Sequence, residues 1–351
     1  MAGKAAVEVA VSAAVDSTRW QTSVLAVLCL WLWTVCASAA EPRQHVMLVT
    51  GISGEPFYAK RFARVADSTR EVIIKGLRVA EHRFHHFSAA AEHAQRSTRE
   101  NVLAKLAQLA TKTGPNDQVL LILVGHGSAR DDRIAFNLPG PDLQAAQLAG
   151  ALDAFPPGRL VVVVATSSSG SFLPVLSASG RIVVTATASA RENQYPVFVE
   201  PFVAAFASSA ADVNKDKRVS LLEAFRFARV GVRERYEKEQ LMVVEHALLD
   251  DNGDREGSTR PGHEPGDKQL DGAHAEKMFF DITPAGSETR DIAALIPLKV
   301  SANQLLERIA TLKREKNKYF PEEFYDRLEV LLVELAVNRR AYRQALRGER
   351  G

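Results

Sequence analysis

Residues Leu160–Phe172 read LVVVVATSSSGSF. The apolar run at the start predicts a strand buried on both faces, because a half-buried strand would alternate apolar with polar side chains. The run ends in a threonine, serines and a glycine, which are typical of a tight turn. Loops at the carboxyl ends of such strands form the active crevice of many α/β enzymes. The stretch therefore raises the question of whether one of its serines is a nucleophile.

Similar apolar runs alternate with helical patterns along much of the chain. Buried strands are predicted within His45–Glu55, Gln118–Ser128 and Arg181–Ser189, and helices within Ser97–Gly114 and Asp142–Phe155. Strands separated by helices favour parallel pairing, and continuous apolar runs indicate a sheet that is covered on both faces. We therefore predict an α/β fold in which a mostly parallel sheet is sandwiched by helices.

The composition is that of an ordinary globular protein. The 351 residues are 46% hydrophobic and 25% charged, which suffices for one large or two modest domains. Lysine and arginine number 44 and aspartate and glutamate 42, which gives a formal net charge of +2. Because this balance provides no broad basic field, the sequence does not favour nucleic acid as a partner.

The N-terminal segment 1–40 is predicted to be a secretory signal peptide. Ser23–Ala39 is a nearly unbroken apolar run that ends in small residues of the kind found at cleavage sites. The alternative is an uncleaved membrane anchor, because about 17 apolar residues just span a bilayer. We expect a secreted or periplasmic product that begins near Ala40, and membrane attachment only if the segment is retained.

The two cysteines of the chain, Cys29 and Cys36, both lie inside this segment. A chain cleaved near Ala40 therefore contains no thiol. Disulfide bonds, cysteine metal ligands and a cysteine nucleophile are then excluded, whatever the fold.

Two predicted strand ends carry the side chains that matter for function. One strand delivers Gly125-His126-Gly127, and the strand Leu160–Val164 delivers Ser167 followed by Ser169-Gly170-Ser171. Because the carboxyl ends of parallel strands share one edge of a sheet, His126 and Ser167 would face each other if the two strands are neighbours. A strand ending in His-Gly, then a strand ending in a nucleophile position before x-Ser-Gly-Ser, resembles the legumain family of cysteine peptidases and, more distantly, the caspases.

The resemblance covers roughly Gln44–Lys238 and implies a caspase-like sheet with a catalytic crevice. Carried over residue by residue, it places His126 at the catalytic histidine and Ser167 at the nucleophilic cysteine. It also implies that the backbone amides of Gly127 and Ser167 are the oxyanion donors. Arg191-Glu192-Asn193 stand where the family places the walls of a substrate pocket.

The serine at the nucleophile position departs from the family pattern. A lone histidine can activate a thiol, whereas a serine hydroxyl needs an aligned base, usually an orienting acid, and an oxyanion hole. Asp131 and Asp132 follow His126 closely and are candidates for that acid, but the sequence does not require this role and favours a solvated turn for them.

The stretch 212–223 has the ligand spacing of an EF-hand calcium loop. Positions one, three, five, seven, nine and twelve hold Asp212, Asn214, Asp216, the Arg218 carbonyl, Ser220 and Glu223. Lys217 replaces the glycine of position six, and basic residues in the loop offset its carboxylates, which lowers the expected affinity. Ca²⁺ is the candidate cofactor. The alternative is a loop in which Asp212 and Ser220 act only as caps.

Two weaker patterns are interpreted as structural. Leu249–Gly257, LDDNGDREG, is similar to the calcium loop but lacks the twelfth carboxylate, so we predict a turn with weak metal contact at most. His82, His85, His86 and His93 lack a carboxylate or cysteine that would complete a metal site, so a packing or solvated role in a connecting segment is predicted.

The C-terminal part is predicted to be a linker followed by a helical hairpin. The peptidase-like domain is assigned to 41–250, a Gly/Pro-rich linker to 251–292 and the hairpin to 293–351. Ser301–Glu315 and Pro321–Arg347 carry apolar stripes at helical spacing. We interpret the hairpin as a partner, docking or dimer element, with packing on its own domain as the alternative.

Two functions from different classes remain open. The first is an exported caspase/legumain-like peptidase homologue without cysteine-peptidase activity, which binds a peptide or protein in the retained crevice. The second is a hydrolase or peptidase in which Ser167 and His126 form a Ser-His dyad. The sequence favours the first, because the thiol is absent and no orienting acid is evident.

Overall fold

The computed structural model describes residues 43–114, 116–130, 133–262, 271–280 and 298–347, apart from 299–300, 303–304, 306–307, 310 and 313–314. The predicted signal segment 1–40 lies outside these residues, as do Asp131 and Asp132.

Buried strands and helices alternate over much of the chain from Gln44 to Asp250, as the apolar pattern predicts. The strands are β1 (Gln44–Thr50), β2 (Phe84–Ser88), β3 (Gln118–Gly125), β4 (Gly127–Arg130), β5 (Arg133–Phe136), β6 (Leu143–Gln144), β7 (Leu160–Thr166), β8 (Arg181–Thr185) and β9 (Leu248–Asp250). The α-helices with defined bounds are α1 (Pro56–Glu71), α2 (Arg99–Lys112), α3 (Ala145–Leu152), α4 (Leu173–Leu176), α5 (Val199–Ala205), α6 (Leu221–Lys238) and α7 (Pro321–Arg347).

The central sheet has six strands in the order β2-β1-β3-β7-β8-β9, and its pairs are parallel except for the antiparallel edge strand β9. A small antiparallel sheet, β4-β5-β6, follows β3 directly. The strands β3, β7 and β8 are almost entirely buried, because helices cover both faces. The predicted fold class, a mostly parallel sheet sandwiched by helices, is confirmed.

Successive residues of each strand enter cores on opposite faces of the sheet. In β1, Val46 and Leu48 join the core formed with α1, α5 and α6, whereas Met47 and Val49 join the core formed with α2 and α3. This alternation follows from the two-residue period of a strand. It explains why the strand sequences are apolar throughout.

Part of the segment predicted as a linker belongs to the folded domain. Ala275, Met278 and Phe280 are buried in the core on the α6 side, and the Leu221 amide donates to the Met278 carbonyl at 2.8 Å. Residues 271–280 of the predicted linker 251–292 thus include a short apolar stretch, behind the Gly/Pro-rich run, that packs into the core on one face of the sheet.

Strand β2 was also not predicted from the sequence. Its residues FHHFS contain His85 and His86, which places part of the histidine-rich stretch in the sheet and not in a connecting segment. Burial lowers the pKa of His85 to about 4, so the ring is neutral near pH 7. This environment agrees with the predicted packing role.

The C-terminal helices form a hairpin with a core of its own. The described positions of 301–312 are helical, and Leu305, Ile309 and Leu312 pack against Phe324, Leu331 and Leu335 of α7. Arg308 also pairs with Glu334 across the two helices at 3.3 Å. In the described part of the chain, none of the helices combines the length and the apolar character that crossing a bilayer requires.

Candidate active site

The two predicted site residues follow neighbouring strands. β3 and β7 are paired in parallel, with Gly125 opposite Thr166, so His126 and Ser167 start from adjacent strand ends. The two strands are therefore neighbours, which the sequence alone did not establish. The crevice forms at the carboxyl edge of the sheet, as expected for parallel strands.

The Ser167 hydroxyl is directed at the backbone of Gly127. Its Oγ accepts a hydrogen bond from the Gly127 amide at 3.0 Å and donates one to the Gly127 carbonyl at 3.0 Å. The residue is only 3% exposed. The Gly127 amide is one of the two predicted oxyanion donors, and in this conformation the serine itself occupies it.

Gly127 is a glycine because the serine loop approaches its Cα closely. A Cβ on Gly127 would lie 2.5 Å from the Ser167 carbonyl oxygen and 2.7 Å from the Thr166 hydroxyl. Real side chains do not tolerate such distances, so β4 reaches the serine only with a glycine at this position.

The His126 imidazole is oriented by a backbone carbonyl and an aromatic wall. Its Nε2 lies 3.2 Å from the Ser53 carbonyl oxygen, which can only accept a hydrogen bond. The neutral ring therefore carries its proton on Nε2 and leaves Nδ1 as the basic nitrogen. The rings of Tyr58, Phe62 and Tyr195 surround it at centroid distances of 4.9, 5.8 and 6.2 Å.

No hydrogen bond joins His126 to Ser167 among the residues that the structure describes. In the sequence, the candidates for an orienting group are carboxylates, but a backbone carbonyl has this position. It was not predicted, because every residue has a backbone carbonyl and Ser53 lies 73 positions from His126. The carbonyl comes from the turn after β1, which no side-chain motif marks.

The remaining serines of the loop hold its shape. Ser168 has the left-handed φ of 56°, its amide donates to the Glu192 carbonyl at 2.9 Å and its hydroxyl to the Ala190 carbonyl at 3.1 Å. A single hydrogen bond joins the Ser169 and Thr187 hydroxyls at 2.9 Å. These bonds fasten the serine loop to the loop after β8, so both serines have a structural role here.

Of the predicted pocket-wall residues Arg191-Glu192-Asn193, Glu192 is bound internally. Its carboxylate accepts from the Ala188 amide at 2.9 Å, and from the His246 amide and Nδ1 at 3.0 and 2.8 Å. Arg191 and Asn193 are exposed. Glu192 therefore connects the loop after β8 to the segment that leads into β9.

A buried polar cluster beside His126 was not predicted from the sequence. Arg61 pairs with Glu200 at 3.0 Å and lies over the Tyr195 ring at 4.9 Å. Arg61 Nη2, the Tyr195 hydroxyl and Glu245 Oε1 are buried and have no hydrogen-bond partner among the described residues. Burial raises the pKa of Glu245 to about 7. Three separate stretches of the chain supply these groups, so no local sequence pattern predicts the cluster.

The predicted calcium loop is closed by hydrogen bonds from its own carboxylates. Asp212 accepts from the amides of Asp216 and Lys217 at 3.1 and 3.0 Å. Glu223 Oε1 accepts from the amides of Val213 and Asn214 at 3.0 and 3.2 Å. Lys217 has φ 68°, the left-handed conformation for which EF-hands use glycine. The backbone thus has the turn that the motif requires despite the lysine.

Ser220 and Glu223 also form the N-terminal cap of α6. The Glu223 amide donates to Ser220 Oγ at 3.2 Å, and Glu223 Oε2 accepts from the Ser220 amide at 2.9 Å, which is a capping box. The helix-cap alternative for Ser220 therefore describes its present contacts. Asp212, Asp216 and Glu223 are not arranged around a metal in this conformation, although carboxylate and amide oxygens are ligand types that suit Ca²⁺. Calcium binding by Asp212, Asn214, Asp216, the Arg218 carbonyl, Ser220 and Glu223 stays a prediction.

The second acidic stretch gains a carboxylate from a distant residue. Asp271 Oδ1 accepts from the Asp251 amide at 3.1 Å, and burial together with Asp250 and Asp251 raises the pKa of Asp271 to about 7. Both Asp251 oxygens accept backbone amides from residues 272–275. Within the described part of the chain, no group of three His, Cys, Asp or Glu side chains is arranged to hold a metal.

Comparison with solved structures finds similar chains at low identity. One is a secreted C11 cysteine protease from Bacteroides thetaiotaomicron, iotapain, at 10% identity and a TM-score of 0.40, with 61% of this chain and 67% of that chain covered. Another is drICE, at 10% identity and a TM-score of 0.37, with 61% and 90% covered. None of the curated protein sequences matches this chain.

The family comparison matches the segment that carries the crevice. Residues 96–244 match the model of the Peptidase C13 family, and this range contains His126, Ser167 and the loop 212–223. The match starts after β2 and ends before β9, so it includes the two strands whose ends form the site. The resemblance to the legumain family that the two strand-end motifs indicate is thus confirmed, as a similarity to the Peptidase C13 model over residues 96–244.

Proposed function

We propose that this chain binds a peptide or protein in the crevice at the ends of β3 and β7 and does not act as a cysteine peptidase. The observation that carries the proposal is the position of the Ser167 hydroxyl. It is buried, and it bonds to both backbone groups of Gly127.

This position removes two requirements of serine catalysis at once. A nucleophile must share its proton with the base, but the Ser167 proton is directed to a carbonyl. An oxyanion must find free amide donors, but the Gly127 amide is bonded to the serine oxygen. The Ser167 hydroxyl is a weak acid that already makes two hydrogen bonds to Gly127. Breaking these bonds to reach His126 would cost free energy.

The Ser-His hydrolase is the second candidate, and the orientation of His126 favours it. In the neutral tautomer with the proton on Nε2, which the hydrogen bond to the Ser53 carbonyl selects, Nδ1 has the free lone pair that a general base needs. A rotation of the Ser167 side chain on substrate binding would then free the Gly127 amide. The two candidates therefore differ in whether Ser167 changes partners when a peptide is present.

Hydrolysis of a peptide panel by the chain from Ala40 onward tests the proposal. We expect no cleavage by the wild type and no labelling of Ser167 by fluorophosphonates. Ser167→Cys places the only thiol of that chain beside His126, and we expect it to react with iodoacetamide about tenfold faster than Ser171→Cys on the same loop. The difference should vanish in the Ser167→Cys chain that also carries His126→Ala.

Cleavage by the wild type that is lost in both Ser167→Ala and His126→Ala would establish the Ser-His hydrolase instead. Crevice binding is tested separately, with the same peptides at equilibrium. A panel that neither binds nor is cleaved would contradict peptide binding as the function.

Two further parts of the proposal concern location and partners. We propose export, because Ser23–Ala39 has the pattern of a signal peptide, and N-terminal sequencing of the product near Ala40 would test it. We also propose that α7 contacts a protein through Val330, Val333 and Val337, which are exposed along one face. Sedimentation of the wild type and Val333→Asp tests whether that protein is a second copy.

A further inference from the structure

A cavity of about 590 Å³ lies against α6 on the side that faces the segment 243–247. Residues 259–261 also line it. The lining includes neither His126, Gly127 nor Ser167, so this cavity is separate from the crevice. Its lining residues are Ala186, Phe198, Arg226, Arg229, Val230, Val232, Arg233, Val243, Glu245, His246, Ala247, Thr259, Arg260 and Pro261.

Arginines dominate the polar part of this lining. Arg226, Arg229 and Arg233 are three and four residues apart on α6, so their side chains share one face of the helix. Arg260, from a different segment of the chain, also lines the cavity. Burial and the charges of Arg260 and Arg233 lower the pKa of Arg229, which shows that these guanidinium groups lie within electrostatic reach of one another.

The positive charge at the centre of the cluster is not neutralised within the described residues. Arg226 donates to the Pro261 carbonyl at 2.9 Å, and Arg233 reaches Glu237 at 3.6 Å. The side chains of Arg229 and Arg260 have no hydrogen-bond or ion-pair partner among the residues that the structure describes. Like charges held close together are costly, and an anion bound between Arg229 and Arg260 would remove that cost.

The rest of the cavity offers apolar surface and one unpaired carboxyl oxygen. Phe198, Val232 and Val243 provide the apolar part. Glu245 lines the same cavity and is only 5% exposed, and its Oε1 has no partner among the described residues. A small-molecule site typically combines such apolar walls with a few convergent polar groups.

We propose that this cavity binds an organic oxyanion, with its carboxylate or phosphate between Arg229 and Arg260 and its apolar part against Phe198 and Val243. A guanidinium group binds either oxyanion through paired hydrogen bonds, so the arginines define the charge and the geometry of the ligand. Contact with the apolar side chains favours a ligand that has an apolar part over a bare inorganic ion. The site does not depend on whether the crevice is catalytic.

Calorimetry with the full chain tests the proposal with phenyl phosphate and phenylacetate as probes. Inorganic phosphate serves as the bare anion and benzyl alcohol as the neutral analogue. We expect saturable binding of at least one organic anion, with inorganic phosphate about tenfold weaker and benzyl alcohol without effect. Whichever organic anion binds more tightly identifies the headgroup as phosphate or carboxylate.

Arg229→Gln and Arg260→Gln should each weaken that binding about tenfold or more. Arg235→Gln on the same helix is the matched control, because Arg235 lies outside the cavity and pairs with Glu239. Arg260 is exposed, so its variant keeps the fold even if Arg229→Gln does not, and a melting curve checks both. Equal affinity in wild type and Arg260→Gln, or no binding of any probe at about 10 mM, would overturn the proposal.

Discussion

At the scale of the residue, the site depends on what a hydroxyl does where the family pattern has a thiol. A thiol is a weak hydrogen-bond partner, whereas the Ser167 hydroxyl both donates and accepts and bonds Gly127 twice. The bonds bring the serine loop and the start of β4 together. Ser167 thereby becomes a structural connection between two strand ends that a peptidase would keep free for substrate.

This connection predicts the effect of a single methyl group on Gly127. Gly127→Ala would place its Cβ 2.5 Å from the Ser167 carbonyl, so the loop must move, and we expect the free energy of unfolding to fall by about 1–3 kcal/mol. Gly150→Ala in α3 is the control, because no atom lies within 4 Å of its Cβ and helical alanine gains about 0.5–1 kcal/mol over glycine. Denaturant unfolding measures both; equal effects would mean that Gly127 is not crowded.

At the scale of the element, strands that are apolar throughout were predictable and strands that are mixed were not. β3 and β7 are recognisable in the sequence as long apolar runs, because both of their faces are buried. The site residues His126 and Ser167 follow the ends of these two strands. β2 contains two histidines, and β9 has only three residues. Neither strand therefore has an apolar run that distinguishes it from the neighbouring sequence. Their place in the sheet comes from pairing with neighbours already formed, which is tertiary information.

The same distinction applies to the site. His126 and Ser167 were predictable because each follows a recognisable strand, and Gly127 because it follows the histidine. The contact of His126 with the Ser53 carbonyl was not predictable, because every residue has a backbone carbonyl and the side chain at position 53 plays no part in the hydrogen bond. Groups that act through the backbone, or that converge from several segments, leave no pattern in the sequence.

A substitution of Glu223 distinguishes the two interpretations of the loop 212–223, calcium binding and helix capping. Glu223 caps α6 and is also the predicted bidentate ligand. Glu223→Gln keeps an acceptor for the cap but loses the carboxylate, since glutamine also serves in a capping box. We propose Ca²⁺ binding and expect calcium to raise the melting temperature of the wild type but not of Glu223→Gln, because a ligand of the folded state stabilises it.

Glu223→Ala should melt at a lower temperature even without calcium, because it removes the cap as well, a loss of about 1 kcal/mol. A wild-type melting curve that calcium does not move would leave Glu223 with the cap role alone. Scanning calorimetry with calcium and with a chelator distinguishes these cases.

At the scale of the whole molecule, the described residues form more than one core. Two cores lie on the two faces of the sheet and share its strands, so they are coupled by the sheet itself. Among the described residues, the hairpin core consists of residues of 301–312 and α7 together with the turn between them. No buried apolar residue of the described chain belongs to both the hairpin core and a sheet core.

This separation predicts that a cavity in the hairpin leaves the sheet intact. Leu331 is buried in the hairpin core, so Leu331→Ala should destabilise the hairpin by about 2–4 kcal/mol. Its neighbour Leu332 is 48% exposed, and Leu332→Ala is the matched control with little expected effect. Amide hydrogen exchange should show lost protection in α7 and unchanged protection in β3 and β7, because local unfolding follows separate cooperative units. Equal loss of protection in β3 would instead mean that the hairpin and the sheet unfold together, with the hairpin stabilising the domain that carries the crevice.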